Sequence, residues 1–173
     1  VVSREAKGDL SLDIVSYFCS SKEIDISISI IRNGVNFGHK SFYFFKDDLI
    51  RDEQSFKESL YQFYFQYLFS SNDEKPKSVF FDGVDDNNLM DLKSVFERSV
   101  KESFDMKMTV VKSSSRFNKL VKLNRDQAEE NHKARTQYQS SMLLAIEKLK
   151  SLLNLRELPR HIECYDVATF QGK

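Results

Sequence analysis

The stretch "PRHIECYDVATFQGK" near the end of the chain places a carboxylate, Asp166, where period-two alternation expects a core residue. Ile162, Cys164, Asp166 and Ala168 share one face of this strand-like run, and Glu163, Tyr165 and Val167 share the other. An ionised carboxylate buried without a partner costs several kcal/mol. Such a residue is therefore ion-paired, hydrogen-bonded, exposed at a strand end, or bound to a metal ion. Glu163 faces the other way and reads as a salt-bridge residue rather than a ligand.

A second chemical set is basic. Arg116, Lys119, Lys122 and Arg125 step by three and can line one side of a helix against nucleic-acid phosphates. The acidic Asp126, Glu129 and Glu130 that follow favour an ordinary solvated face. His39, His132 and His161 have no partners at catalytic spacing. His39 reads as a surface or edge residue, His132 as part of a solvated helix middle, and His161 as exposed beside Arg160. The aromatics Phe63, Tyr64, Phe65, Tyr67 and Phe69 recur at helical spacing and read as core rather than as a base-stacking platform. Cys19 and Cys164 lack the spacing of a zinc site and are expected as reduced core thiols.

The bulk composition bounds what can position these groups. A chain of 173 residues supports one well-cored domain, and 40% hydrophobic residues with fifteen Phe exclude a disordered chain. Its formal net charge is zero, so any basic surface is local. No run approaches the roughly twenty apolar residues of a membrane span, and "VVSREAKGDL" lacks the order of a signal peptide. The expectation is a cytoplasmic protein with neither a membrane nor a small-molecule substrate as partner.

"LSLDIVSYFC", "IDISISII" and "VNFGHKSFYFF" read as three antiparallel strands, the last two joined by a tight Asn33-Gly34 turn. In the second, Ile24, Ile26, Ile28 and Ile30 form the buried face, and Asp25, Ser27 and Ser29 are expected in solvent. "SFKESLYQFYFQYLF" has helical spacing through Phe56, Leu60, Phe63 and Tyr67, with Ser55 as expected N-cap. "SVFF" is a short buried strand, "DGVDDNN" a loop, Leu89 to Val100 an amphipathic helix and "MKMTVV" a fifth strand. From Arg116 to about Asn154 helix formers run without Pro or Gly. The middle of this run, "NRDQAEENHKAR", is polar all round, which predicts a connector stopped by Leu158-Pro159.

"IECYDVATFQGK" resembles the "ECFDIS…QG" signature that opens the C-terminal endonuclease domain of the UvrC family, the incision subunits of bacterial nucleotide excision repair. Glu163, Cys164, Asp166, Gln171 and Gly172 match, whereas Ala168, Thr169 and Phe170 depart from the usual pattern. "LVKLNRDQA" resembles the family's "LxxLAxxNA", with Gln127 where Asn is usual. The opening stretches and the "QFY" of Gln62, Phe63 and Tyr64 resemble the region after the family's UvrB-binding hairpin.

The resemblance implies a central fragment of an excinuclease whose partners are UvrB and damaged DNA. An N-terminal nuclease and the UvrB-binding hairpin would precede Val1, and the remaining endonuclease strands and DNA-binding helical hairpins would follow Lys173. It implies an RNase H-like endonuclease domain whose first-strand Asp holds Mg²⁺ or Mn²⁺ for the cut on the 5′ side of a lesion, and Asp166 is the matching position. One carboxylate does not complete such a site, so this stretch alone is expected neither to cut DNA nor to carry a bound metal.

The order of elements from residue 10 to 112, three antiparallel strands then helix, strand, helix, strand, is itself RNase H-like. The expected fold is therefore α/β. Residues 1–112 form an RNase H-like middle domain with a mixed sheet, 113–158 a connecting helix or helices, and 159–173 the first strand of an incomplete second RNase H-like domain. Asp13, Asp25, Asp82, Asp85 and Asp86 are the acids a cutting middle domain would use, and a catalytically empty, docking copy is the favoured reading. The rival is a pure interaction module for a partner such as UvrB, with Asp166 structural.

Overall fold

The computed structural model of the chain describes residues 10–46, 53–83, 90–112 and 117–165. The chain divides into two compact units, residues 1–132 and 133–173. The first is built on a five-stranded mixed sheet.

Strands β1 (Leu12–Cys19), β2 (Glu23–Arg32) and β3 (Val35–Phe45) form an antiparallel meander. Asn33 and Gly34, both at positive φ, close the β2–β3 hairpin, which is the backbone that a two-residue primed turn requires. Helix α1 (Glu53–Ser70) leads to β4 (Ser78–Phe81), which pairs parallel to β1. Helix α2 (Met90–Phe104) leads to β5 (Thr109–Val110), parallel to β4, so the strand order is β3-β2-β1-β4-β5. Helix α3 runs from Asn118 to Leu152. This is the mixed α/β, RNase H-like order expected from the sequence.

Strands β1, β2 and β4 are covered on both faces, whereas the edge strand β3 is largely exposed. Val15, Ile24, Ile26, Ile28, Val79 and Phe81 pack against Leu60, Tyr61, Tyr64 and Leu68 of α1 and Phe96 and Val100 of α2. Leu12, Ile14, Ile31 and Phe80 pack on the opposite face against Phe117, Leu120 and Val121 at the start of α3. A fully buried Leu or Ile contributes about 1.5–3 kcal/mol, so each face is stabilised by several such side chains.

Several expectations need correction. The face of β2 that bears Asp25 and Ser27 is buried rather than solvated, because the first half of α3 covers it. The middle of α3 is therefore not polar and solvated all round, since Asn124 and Ala128 are buried there. Helix α1 starts at Glu53, which places Ser55 inside its first turn rather than at the N-cap. Helix α3 ends at Leu152, before Leu158-Pro159, where Asn154 adopts a positive φ and Leu155 N–H bonds the Lys150 carbonyl.

Both cysteines are exposed and free rather than buried, Cys19 as the last residue of β1 and Cys164 in the exposed segment after α3. The segment His161–Tyr165, expected to lie in the first strand of a second domain, is exposed and is not part of the five-stranded sheet.

Candidate functional site: the acidic residues of the sheet

Asp13 sits in the second position of β1, opposite Ile30 of β2 and level with Val79 of β4. Its side chain points toward α1 and is buried. Tyr64 donates its hydroxyl to Asp13 Oδ2 at 2.7 Å, and Arg32 Nη1 reaches Oδ1 at 2.6 Å. The rest of the Arg32 fork is also engaged: Nε and Nη2 donate to the Glu74 carbonyl at 3.0 and 2.7 Å. Burial pushes the Asp13 carboxyl above its ordinary range, and the Arg32 guanidinium and the Tyr64 hydroxyl pull it partway back. The Tyr64 phenol is raised well above its usual range by burial and by the neighbouring Asp13 charge, so it remains a hydrogen-bond donor at neutral pH.

Asp82 follows the last residue of β4, where its backbone N–H bonds the Val15 carbonyl. Arg125 of α3 holds the carboxylate with Nε at 3.0 Å from Oδ2 and Nη2 at 2.7 Å from Oδ1. This bidentate pair raises the Arg125 pKa, first through the hydrogen bond and then through the Asp82 charge. Arg125, one of the four basic residues read as a solvated helix face with phosphate contact as the rival, bonds through its guanidinium to the sheet. Lys119 and Lys122 are exposed on α3. Arg116, Asp85, Asp86 and Asp166 lie outside the described residues.

Asp25 lies on β2 opposite Phe18, on the face covered by α3. His132 Nδ1 stands 2.8 Å from Asp25 Oδ2 and 3.6 Å from Glu23 Oε2. The Phe18 ring packs against the imidazole with centroids 5.1 Å apart. Two helical turns earlier the contact is polar again. Asn124 accepts from Ser27 Oγ at 2.7 Å and Ser29 Oγ at 2.9 Å, and its Nδ2 donates to the carbonyls of Ile14 and Ser27 at 2.8 Å each.

His132 was expected in solvent without a partner, and no role was foreseen for Asn124. Both were hidden by their polarity, because a hydrophobic-period search passes over a polar contact face. The available signal was spacing. Asn124, Ala128 and His132 recur every four residues, and Asp25, Ser27 and Ser29 alternate on one face of β2, so two polar stripes of matching type were already present. The other histidines behave as expected: His39 is exposed on β3, and exposed His161 pairs with Glu163 at 2.9 Å. The hydrogen bonds from Tyr165 and His161 hold the exposed Glu163 carboxyl below its usual range.

Metal-assisted phosphodiester hydrolysis needs carboxylates converging on one ion at an open surface. The described acids do not fit that requirement. Asp13 faces α1, whereas Asp82 and Asp25 bond to residues of α3 on the other face. Asp82 follows Phe81, the partner of Val15, and so lies three residues from the level of Asp13, about 10 Å at roughly 3.3 Å per residue. Asp13 is also held by Arg32 and Tyr64, Asp82 by Arg125, and Asp25 by the His132 ring. The arrangement clamps sheet to helix and leaves no paired carboxylates open to a phosphate among the described residues.

Comparison with known proteins identifies the family. Residues 11–134 match the family model described as the UvrC Ribonuclease H-like domain. The UvrABC system protein C of Clostridioides difficile is 26% identical over 172 residues, covering 95% of this chain and 26% of that protein. The UvrABC system protein C of Bdellovibrio bacteriovorus is 35% identical over 83 residues, covering 47% of this chain and 13% of that protein. The chain thus spans about a quarter or less of these curated relatives. Among solved structures, a crystal structure of the Aquifex aeolicus member of the Ppx/GppA family aligns over 58% of this chain and 35% of its own at 11% identity, with a TM-score of 0.24 too low to carry an argument. With residues 11–134 matched and the strand order β3-β2-β1-β4-β5 in place, the chain belongs to the UvrC Ribonuclease H-like domain family.

Proposed function

We propose that the chain is a non-cutting RNase H-like module of a UvrABC-system C protein, and that it docks and positions while incision of damaged DNA takes place elsewhere in the longer protein. The observation that carries this reading is the internal use of the sheet's acids. Asp13 is engaged by Arg32 and Tyr64, and Asp82 by Arg125. In the resemblance to UvrC proteins, the carboxylate for the 5′ cut is Asp166, which would hold Mg²⁺ or Mn²⁺ together with residues following this stretch. Residues 113–158 would then link the module to that nuclease domain, with Arg116, Lys119 and Lys122 as candidates for contact with DNA phosphates.

Docking is favoured by the edge strand. Along β3 the apolar side chains of Val35, Phe37 and Phe45 are 58%, 70% and 62% exposed. Phe44 and Phe45 also line a groove against α1 whose floor is Ile24, Ile26 and Leu60. An edge strand bearing aromatic side chains is suited to a protein partner, UvrB being the candidate that the resemblance supplies.

The test uses the 173-residue chain, with a damaged duplex, Mg²⁺ or Mn²⁺, and UvrB. The expected outcome is no cleavage, together with UvrB binding weakened at least tenfold by Phe37→Ser with Phe45→Ser. Metal-dependent cleavage by the chain would overturn the non-cutting reading. Tight, salt-dependent DNA binding without UvrB binding would replace protein docking with a nucleic-acid role.

A further inference from the structure

We infer that Glu23, Asp25 and His132 form a structural site for one divalent first-row transition-metal ion, which fastens α3 to β2. One oxygen of each carboxylate and a ring nitrogen of the imidazole all lie within 4.8 Å of one another. The separations from His132 Nδ1, 2.8 Å to Asp25 Oδ2 and 3.6 Å to Glu23 Oε2, bracket what one ion imposes. Ligand atoms at about 2.0–2.2 Å from a shared ion stand about 3.0–3.6 Å apart in octahedral or tetrahedral geometry. Little movement separates this arrangement from a coordinated one.

The donors come from rigid elements. Glu23 and Asp25 are two residues apart on β2, so they share one face, and both are paired in register with β3. Phe18 packs against the imidazole and limits its rotation. The side chains of Glu23, Asp25 and His132 are only 10%, 5% and 15% exposed, which makes this a closed site rather than a substrate site. A cation accepts a lone pair from all three donors and neutralises both carboxylates, which repel one another at low exposure.

Imidazole with two carboxylates suits Zn²⁺ or Mn²⁺ and selects against Mg²⁺ and Ca²⁺, which prefer oxygen ligands alone. Of the two, Zn²⁺ binds more tightly by the general affinity order. The inference is independent of any cutting activity, because a phosphodiester does not reach so closed a site.

The experiment uses the 173-residue chain carrying Cys19→Ser, Cys164→Ser and His161→Gln, which removes the exposed donors that capture zinc adventitiously. After chelator treatment, Zn²⁺, Mn²⁺ and Mg²⁺ are titrated while calorimetry and thermal melting are followed. The expected result is one equivalent of Zn²⁺ with a raised Tm, weaker binding of Mn²⁺, and no Tm change with Mg²⁺. Asp25→Asn and His132→Gln are each expected to weaken Zn²⁺ binding at least tenfold and to abolish the Tm rise. Absence of bound Zn²⁺ and of a Tm rise in the parent chain overturns the inference without recourse to any variant. One equivalent bound with unchanged affinity in folded Asp25→Asn and His132→Gln places the ion elsewhere and overturns it equally.

Discussion

Arg125 grips Asp82 with two parallel hydrogen bonds, Nε to Oδ2 at 3.0 Å and Nη2 to Oδ1 at 2.7 Å, and so joins the end of β4 to α3. The acid at the carboxyl end of a central strand, where a metal-dependent nuclease would place a ligand, is thereby used for packing. Removing Arg125 should not create a nuclease. The Arg125 side chain is 58% exposed, so screening keeps the pair's worth low, and Arg125→Ala is expected to lower stability by about 1 kcal/mol in urea denaturation. A loss above about 3 kcal/mol would mean that the pair behaves as a buried one.

The Asp13 cluster is buried and should respond more strongly. Tyr64→Phe removes the hydroxyl that donates to Asp13 Oδ2 and keeps the ring in the core, so a loss of about 1.5–3 kcal/mol is expected. Arg32→Ala should cost more, about 3–5 kcal/mol, because it strands the carboxylate and frees the Glu74 carbonyl. Urea melts of both variants give the comparison, and a smaller loss in Arg32→Ala than in Tyr64→Phe would contradict it.

The same carboxyl has a signature in pH. Burial, outweighing Arg32 and Tyr64, leaves the Asp13 carboxyl in the folded state above its ordinary range. A carboxyl raised on folding adds its stability fully below the unfolded value and loses it as pH rises through the folded value. The stability of wild type relative to Asp13→Asn should therefore be greatest in acid, fall as pH climbs above about 4, and level off once Asp13 is ionised. A difference that grows with rising pH would show that the Arg32 charge outweighs burial.

Asn124 makes four hydrogen bonds, to Ser27 and Ser29 hydroxyls and to the carbonyls of Ile14 and Ser27. Asn124→Ala leaves these buried groups unpaired and is expected to cost about 2–4 kcal/mol. Amide exchange should quicken at residues 120–132 of α3 in the variant, since that turn anchors the helix to β1 and β2. Unchanged exchange there would show that the apolar contacts of Leu120 and Val121 suffice.

Gly83 adopts φ of +72°, and a Cβ at that position would lie 2.8 Å from the Tyr17 hydroxyl. Gly83→Ala is expected to cost about 1–3 kcal/mol from backbone strain and the close approach together. Tyr17→Phe in the same chain should recover the second part only. Full recovery by Tyr17→Phe, measured as Tm, would show that the backbone conformation costs little.

Much of the fold was legible because its elements obey simple periods. The Ile24, Ile26, Ile28 alternation, the Asn33-Gly34 turn and the Leu60, Phe63, Tyr67 spacing all led to elements at the observed places. What the sequence concealed was the partner of β2's polar face. Asp25, Ser27 and Ser29 look solvated to any reading based on hydrophobicity, and Asn124 and His132 look equally exposed on a polar helix. Together they bury one another, because polar groups matched by hydrogen bonds satisfy the cost of leaving water. The site reading was limited for the same reason. Asp13 and Asp82 are visible as acids, but the guanidinium groups of Arg32 and Arg125 that engage them come from 19 and 43 residues away.

The most direct test of the proposal that the sheet's acids serve packing and Asp166 serves chemistry is incision of a lesion-bearing duplex by a full-length UvrC-family protein containing this chain, with UvrB, ATP and Mg²⁺. Asp166→Ala and Asp82→Asn are compared with wild type, and the 5′ and 3′ cuts are scored on the same gel. The account predicts that Asp166→Ala loses the 5′ cut alone and that Asp82→Asn keeps both. Retention of the 5′ cut in Asp166→Ala, or its loss in a folded Asp82→Asn protein, would contradict it.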